Sequence, residues 1–387
     1  HQQQSWLTDW DMTTDSDGYA IIALQDIRNG GYNNVVAYKI APDGSFAWGD
    51  DGITLSNSVL MDVSPKVVIT NAGNIVFAWQ AEDVIIRQKV DPSGLLIWGP
   101  DGKTLAGSDT YSWPQLLAVG TDEVIMKYFH DIPQGTGIIR HVYAQKYDAS
   151  GNDVWTNPVT ITNAGGIMTW SGQIFPFISD GGDGFYIAWD DDRDSDLKHS
   201  VFVQHVSSSG QTVFANNGLE VCTTADRQQM YPVLGLPPGS SDVFVFWSEM
   251  NAGQTTCGIF GQKINPFGAL QWPISGKIFI NLGSMDLKPC GCGNSLEDMV
   301  VFYEHFTSDN NSDLKAMRID IEGDFVWTTL YKTISSVDSD KGEVDASDFI
   351  NNQWILSWDD KRNGNTDVYA QNIQLNGELG PYYPQPG

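Results

Sequence analysis

Apolar and polar residues alternate along the chain in runs of about four to seven, and no stretch sustains the 3.6-residue period of a helix. Asp-Gly, Asn-Gly, Ser-Gly and Gly-Gly pairs punctuate the runs, as tight turns require. The pattern predicts short antiparallel strands throughout and excludes a helical repeat.

The strands recur in a fixed frame. A glycine is followed four residues later by a large aromatic at Gly44/Trp48, Gly94/Trp98, Gly151/Trp155, Gly210/Phe214, Gly268/Trp272 and Gly323/Trp327, and a seventh glycine, Gly377, has Pro381 and Tyr382 there. Successive glycines lie 50, 57, 59, 58, 55 and 54 residues apart, and six residues before them stand Tyr38, Gln88, Gln145, Gln204, Gln262, Met317 and Gln371. Upstream, an apolar strand ends in an aromatic at Trp79, Tyr128, Trp189, Trp247, Tyr303 and Trp358, with Leu24 in the first repeat. Earlier still, Pro65, Pro114, Pro176, Pro232 and Pro289 open another strand. Four strands in roughly 50 to 60 residues make one propeller blade, and seven repeats fall within the range of blades that such folds use. The sequence therefore predicts an all-β, single seven-bladed β-propeller of four-stranded antiparallel blades over residues 1–380. Blades start near 10, 64, 113, 175, 231, 288 and 344, and a Pro-rich linker occupies 381–387. Tryptophans at the two repeat positions are expected to wedge between neighbouring sheets. The three prolines after Gly377 predict a short or irregular outer strand in the last blade.

The best-preserved repeat runs from Trp358-Asp359-Asp360-Lys361-Arg362-Asn363-Gly364 through Asp367-Val368-Tyr369-Ala370-Gln371 to Gly377-Glu378-Leu379-Gly380. It resembles the Trp-x-Asp-x-Arg-x-Gly…Asp-x-Tyr-Ala-Gln repeat of large secreted bacterial proteins, many of which carry a C-terminal type IX secretion sorting domain. The resemblance implies export, work at the cell surface or beyond it, and a tail that is a linker cut short; it implies no activity. Sialidases, also propellers, place an Asp-box at the turn where Pro42–Trp48 and Asp91–Trp98 stand here. In these two segments the Trp comes one residue late, which turns it to the other face of the strand, so they are not Asp-boxes.

Charge narrows the partners. Against 21 Lys+Arg stand 48 Asp+Glu, a formal net charge of −27, which excludes nucleic acid and an anionic membrane surface as partners. A hydrophobic fraction of 41% with 14 Trp, 14 Tyr and 17 Phe rules out a disordered acidic chain. No apolar run reaches the roughly 18 residues of a spanning helix. His1-Gln2-Gln3-Gln4 lacks signal-peptide features, so any export signal is expected to have been removed or never present.

In a blade, the start of strand one and the end of strand two should share one face. Two residues beyond the strand-two aromatic stand Asp26, Ala81, His130, Asp191, Glu249, His305 and Asp360; before the prolines stand Ser64, Trp113, Phe175, Tyr231 and Lys288. Trp113, Phe175 and Tyr231 beside His130, Asp191, Glu249 and His305 form a candidate glycan site, because rings stack on sugar C–H surfaces while carboxylates accept from hydroxyls. A surface protein is the other candidate ligand. An architectural subunit with an outer-surface assembly partner is a second reading. A third is a glycan-cleaving enzyme, with Asp191 and Glu249 as a glycosidase pair or His130 or His305 with Tyr128 or Tyr303 in proton abstraction. The balance favours no catalysis, since no compact catalytic motif appears. Asp26/Arg28, Asp191/Arg193 and Asp360/Arg362 recur as a unit, which favours loop-ordering ion pairs. Asp190, Asp192, Asp194 and Asp196 are candidate calcium ligands, as are the runs Asp9–Asp17 and Asp309–Asp313. Cys222 and Cys257 form a candidate disulfide, and Cys290 and Cys292 are expected to pack in a strand.

Overall fold

The computed structural model describes residues 9–28, 32–167, 174–224, 226–283, 286–308 and 310–380. The protein is all-β: seven antiparallel sheets follow one another along the chain, each strand pairing with the next in sequence, in the arrangement of a seven-bladed β-propeller. Blade one comprises Trp10–Thr14, Ala20–Asp26, Asn34–Ile40 and Ile53–Thr54. The later blades open with Asp62–Ile69, Thr110–Val119, Phe177–Ser179, Arg227–Gly235, Leu287–Asn294 and Lys341–Ala346. Six sheets have four strands, and the seventh shows three among the described residues, ending at Gln374. The tail 381–387, read as a linker, lies outside the described residues. By compactness the chain divides into two units, His1–Phe185 with Val206–Thr212, and Tyr186–His205 with Val213–Gly387. No helix among the described residues is long and apolar enough to cross a membrane.

Local chemistry explains the turns. Asp91, Asp148, Asn265 and Asp320 each stand three residues before a repeat glycine, and one side-chain oxygen accepts the amides two and four residues on at 2.8–3.0 Å. The glycine that follows has a positive φ, between 79° and 97° at Gly94, Gly151, Gly268 and Gly323. The glutamine six residues before the glycine is buried and closes the next connection. Gln88, Gln204 and Gln262 each accept, through Oε1, the amide of the following residue and that of Trp98, Phe214 or Trp272, while Nε2 donates to Gly99, Ala215 or Pro273 O. That places the aromatic ring against the following blade.

Within unit one, Trp48, Trp98 and Trp155 donate Nε1–H to Pro92, Ala149 and Ser208 O, and within unit two Trp327 donates to Leu375 O, all at 3.0–3.2 Å. Each acceptor lies two residues before a repeat glycine. A Cβ on Gly94, Gly151, Gly210, Gly323 or Gly377 would come within 2.6–3.0 Å of the preceding blade's indole. The repeat glycines are therefore required twice, for left-handed backbone and for the approach of a ring. Trp79, Trp189, Trp247 and Trp358, the strand-two aromatics, are buried as expected.

Gly210→Ala tests this contact. Its Cβ would lie 2.7 Å from Trp155 Cδ2 at a φ of +76°, whereas Gly73, at +82°, has nothing within 4 Å. Overpacking added to left-handed strain should cost Gly210→Ala about 3 kcal/mol and Gly73→Ala about 1 kcal/mol, read from urea-unfolding midpoints. Equal losses would refute a role for the ring contact.

Candidate functional site

The residues expected to open blades two, three, five, six and seven sit inside the first strands, one to four residues beyond the observed starts. The offset has a structural cause. Pairing with strand two shifts register between Val63 and Lys66, between Met230 and Val233, between Pro289 and Gly291, between Gly342 and Asp345, and opposite Trp113. These are β-bulges, which bend a strand and re-aim its side chains. Ser64, Trp113, Tyr231 and Glu343 adopt left-handed backbone with φ of 53°, 48°, 57° and 46°. Such strain costs about 1–3 kcal/mol per residue and persists only where the surroundings impose it. Part of the compensation is visible. The Ser64 amide donates to Asp9 Oδ2 at 2.6 Å, and the Tyr231 amide to Asp190 Oδ1 at 3.3 Å. The backbone device repeats while its side chain changes from Ser to Trp, Tyr and Glu.

The aromatic arc divides. Phe175 is buried; Gln115 accepts its amide at 2.9 Å and donates to its carbonyl at 2.8 Å, and its ring meets Phe129 edge-on at 5.2 Å. Trp113 is partly exposed, and Tyr231 is 38% exposed with Lys288 Nζ 5.5 Å from its ring centre. The carboxylates turn inward. Asp191 and Glu249 are buried and accept the indole N–H of Trp189 and Trp247, two residues earlier, at 2.8 and 2.7 Å; Trp358 does the same for Asp360 at 3.1 Å. Arg28, Arg193 and Arg362 pair with Asp26, Asp191 and Asp360, and the last two guanidiniums stack on Phe202 and Tyr369. Asp-x-Arg is thus a closed unit that ties the loop after strand two back onto strand three. At Asp360 burial raises the carboxyl, but hydrogen bonds from Arg362, Ser339 and Trp358 outweigh it and hold the group well below its ordinary range. Glu249 has Asn251 where the arginine would be, and Arg227 stands 3.6 Å away. Burial there pushes the carboxyl up to about 7.

The two histidines sit in different surroundings. His130 Nε2 lies 2.9 Å from Asp109, and its ring stacks on Tyr111 at 4.8 Å beside Tyr143 and His141. In unit two, His305 Nδ1 lies 2.6 Å from Lys315 Nζ, with Asp313 3.4 Å from the ammonium. His305 and Lys315 line a cavity of about 230 Å³ together with Cys257, Leu287, Tyr303 and Tyr331. Burial and the Lys315 charge push the His305 imidazole down from its ordinary range. Sequence reasoning missed Lys315, Tyr331 and the cavity itself, because they meet only through the pairing of strands two and three and the packing of two blades.

The acidic loop folds on itself. Asp190 Oδ2 lies 2.7 Å from His199 Nδ1, Asp192 accepts the amides of Asp196 and Leu197, Asp196 accepts that of Lys198, and Asp194 joins no such turn. No group of three or more His, Cys, Asp or Glu among the described residues is placed to hold a metal ion. Asp309 lies outside the described residues, while Asp9 and Asp11 accept the amides of Ser64 and Val67 in blade two. The expected disulfide is not formed: all four cysteines are free thiols, Cys222 Sγ lying 3.1 Å from Thr224 Oγ1 and Cys257 donating to Leu287 O at 3.4 Å. Each thiol turns to its own local partner.

Glu249 gives a pH test. Between its ordinary value of 4.5 and about 7 the folded protein holds a proton that the unfolded chain releases. This contribution is complete below the lower value and is lost as pH rises to the upper one, about 3 kcal/mol in all. Glu249→Gln should remove that slope from urea-unfolding free energies measured across the interval; an unchanged slope would place the titration elsewhere.

No family model matches the chain, and no curated relative matches it. Solved structures do. A puromycin-hydrolysing peptidase of Mycobacterium tuberculosis superposes with a TM-score of 0.51 at 13% identity, over 97% of this chain and 52% of that one. This chain thus spans about half the peptidase, and the likeness shows a shared fold. A polysaccharide lyase of family PL25, an ulvan lyase, gives a TM-score of 0.48 at 12% identity over 95% of this chain and 78% of that one. A GH93 α-L-arabinofuranosidase of Fusarium graminearum gives 0.43 at 12% identity over 81% and 93%.

Proposed function

We propose that the protein is a glycan-directed propeller that recognises sugar chains through the aromatic residues of its strand-one bulges, Trp113 in one unit and Tyr231 in the other. The repeated bulge carries the reading. One strained backbone arrangement recurs in several blades, while the side chain it carries varies in size, charge and aromaticity. Architecture accounts for the backbone and, where the side chain reaches solvent as at Trp113 and Tyr231, leaves it free for recognition. A ring projecting from a rigid bulge presents a stacking face with little entropy to lose. The carboxylates once assigned to this surface do not take part, since Asp191 and Glu249 are buried on their own partners. The resemblance of the Trp358–Gln371 repeat to secreted proteins supports a setting outside the cell.

Glycan cleavage is the second reading, favoured by one observation: Tyr303 and His305 stand two residues apart on strand two of blade six and line the same cavity. Elimination needs an acid and a base on the scissile sugar.

Purified protein on a glycan array should bind, and Trp113→Ala or Tyr231→Ala should weaken that binding about tenfold, the worth of one stacked ring. Binding unchanged in both variants would sink the bulge reading, and no binding at all would leave the architectural role. New reducing or unsaturated ends after incubation with the bound polysaccharide would establish cleavage.

A further inference from the structure

We propose that the cavity of about 230 Å³ in unit two, lined by Tyr303, His305 and Lys315, is a binding site for the carboxylate of an acidic sugar. The inference rests on the glycan reading only in taking the ligand to be a sugar; the site stands on its own geometry. Tyr303 is 1% exposed, yet its hydroxyl has no hydrogen-bond partner among the described residues. The side chain is buried while its oxygen stays accessible at the cavity, so the hydroxyl is free to bond a ligand there. Burial also raises its pKa, so it remains a donor.

Lys315 sets the polarity of the histidine. An ammonium can only donate, so at 2.6 Å the His305 Nδ1 accepts, and the imidazole proton resides on Nε2. The charged groups facing this pair are few. Asp313 lies 3.4 Å from Lys315 and 3.7 Å from His305, and the ammonium stands 4.8 Å from the Tyr331 ring centre. Glu304, on the alternate face of the strand, lies 3.6 Å from Lys288. The cavity thus offers a phenol O–H, an imidazole N–H and an ammonium beside the side-chain amide of Asn281, with no lone pair on the histidine to take a proton. Three donors at one site, one of them charged, suit a ligand that accepts on two oxygens, as a carboxylate does.

Size and walls complete the match. The volume is below the roughly 300–1,000 Å³ of drug-sized pockets, which leaves room for a single ring. Cys257, Ile280 and Leu287 supply apolar wall, and Tyr331, 44% exposed, gives a ring face at the rim.

The test titrates glucuronate and glucose calorimetrically into the full chain and into Tyr303→Phe and Lys315→Met. Glucuronate should bind at least tenfold more tightly than glucose. Tyr303→Phe, which removes a hydroxyl that bonds nothing in the protein, should keep the unfolding midpoint and weaken glucuronate about tenfold, and Lys315→Met should weaken it further. Equal binding of the two sugars, binding unaffected by Tyr303→Phe, or no binding of glucuronate would overturn the proposal. Glucuronate binding that survives while Trp113→Ala and Tyr231→Ala leave the array unchanged would fail the bulge reading alone; the converse would fail this one alone.

Discussion

The contact on which the blades depend is an indole laid against a glycine of the following blade. It carries three requirements at once. The glycine must take a left-handed turn, must lack a Cβ, and must follow a carbonyl that accepts the indole N–H, as at Ala149 beside Gly151 and Ser208 beside Gly210. The buried glutamine adds a fourth by fixing where the aromatic leaves the strand. Because these demands fall on the glycine, on the carbonyl two residues before it and on the glutamine at constant spacing, they leave a periodic trace in the chain.

That trace is why the architecture was legible and why much of the candidate site was not. Gln88, Gly94 and Trp98 act through spacings of a few residues, and their repetition reveals them without a structure. The cation after the glutamine position was equally visible: Lys89 after Gln88 reaches Ala149 O, Lys263 after Gln262 reaches Ile321 O and Arg318 after Met317 reaches Leu375 O, each in the following blade. The burial of Phe175 depends on Gln115, sixty residues away, and on the ring of Phe129. No local pattern announces such a partner. Asp191 and Glu249 failed as surface acids for a more local reason. The tryptophan two residues earlier on the same strand face donates to them, a relation that period-two alternation contains and that was used only to place the rings. The aromatic was read as core and the acid as surface, although one strand geometry buries both.

Strain and variation separate at the bulges. Positions whose side chain packs are constrained across blades, as with the glutamines and tryptophans, while the left-handed bulge tolerates Ser64, Trp113, Tyr231 and Glu343. Ser64 is buried, but at Trp113, Tyr231 and Glu343 the same unfavourable backbone carries a side chain that reaches solvent, so there the chain has kept the part that aims rather than the part that fills. The same logic distinguishes the two tyrosine-histidine pairs. His130 spends its Nε2–H on Asp109, whereas His305 accepts from Lys315 at Nδ1 and keeps its Nε2–H free of that pair.

Electrostatics then decides what a donor-lined cavity has to overcome. At a net charge of −27 the protein as a whole repels an acidic ligand, and many of its cations are already spent on buried carboxylates and turn carbonyls. At physiological ionic strength, however, solvent-exposed charges more than about 8 Å apart are largely screened, so the distant surface acids weigh less at the cavity than the adjacent Asp313. What remains is Lys315, shared with Asp313, and two neutral donors. Asp313 balances the ammonium, which keeps the unliganded cavity from holding an isolated buried charge, and the neutral donors add directional bonds that require no further charge. In so acidic a protein, selectivity for an anion must come from hydrogen-bond direction at short range, and the unpaired hydroxyl of Tyr303 is the group that supplies it.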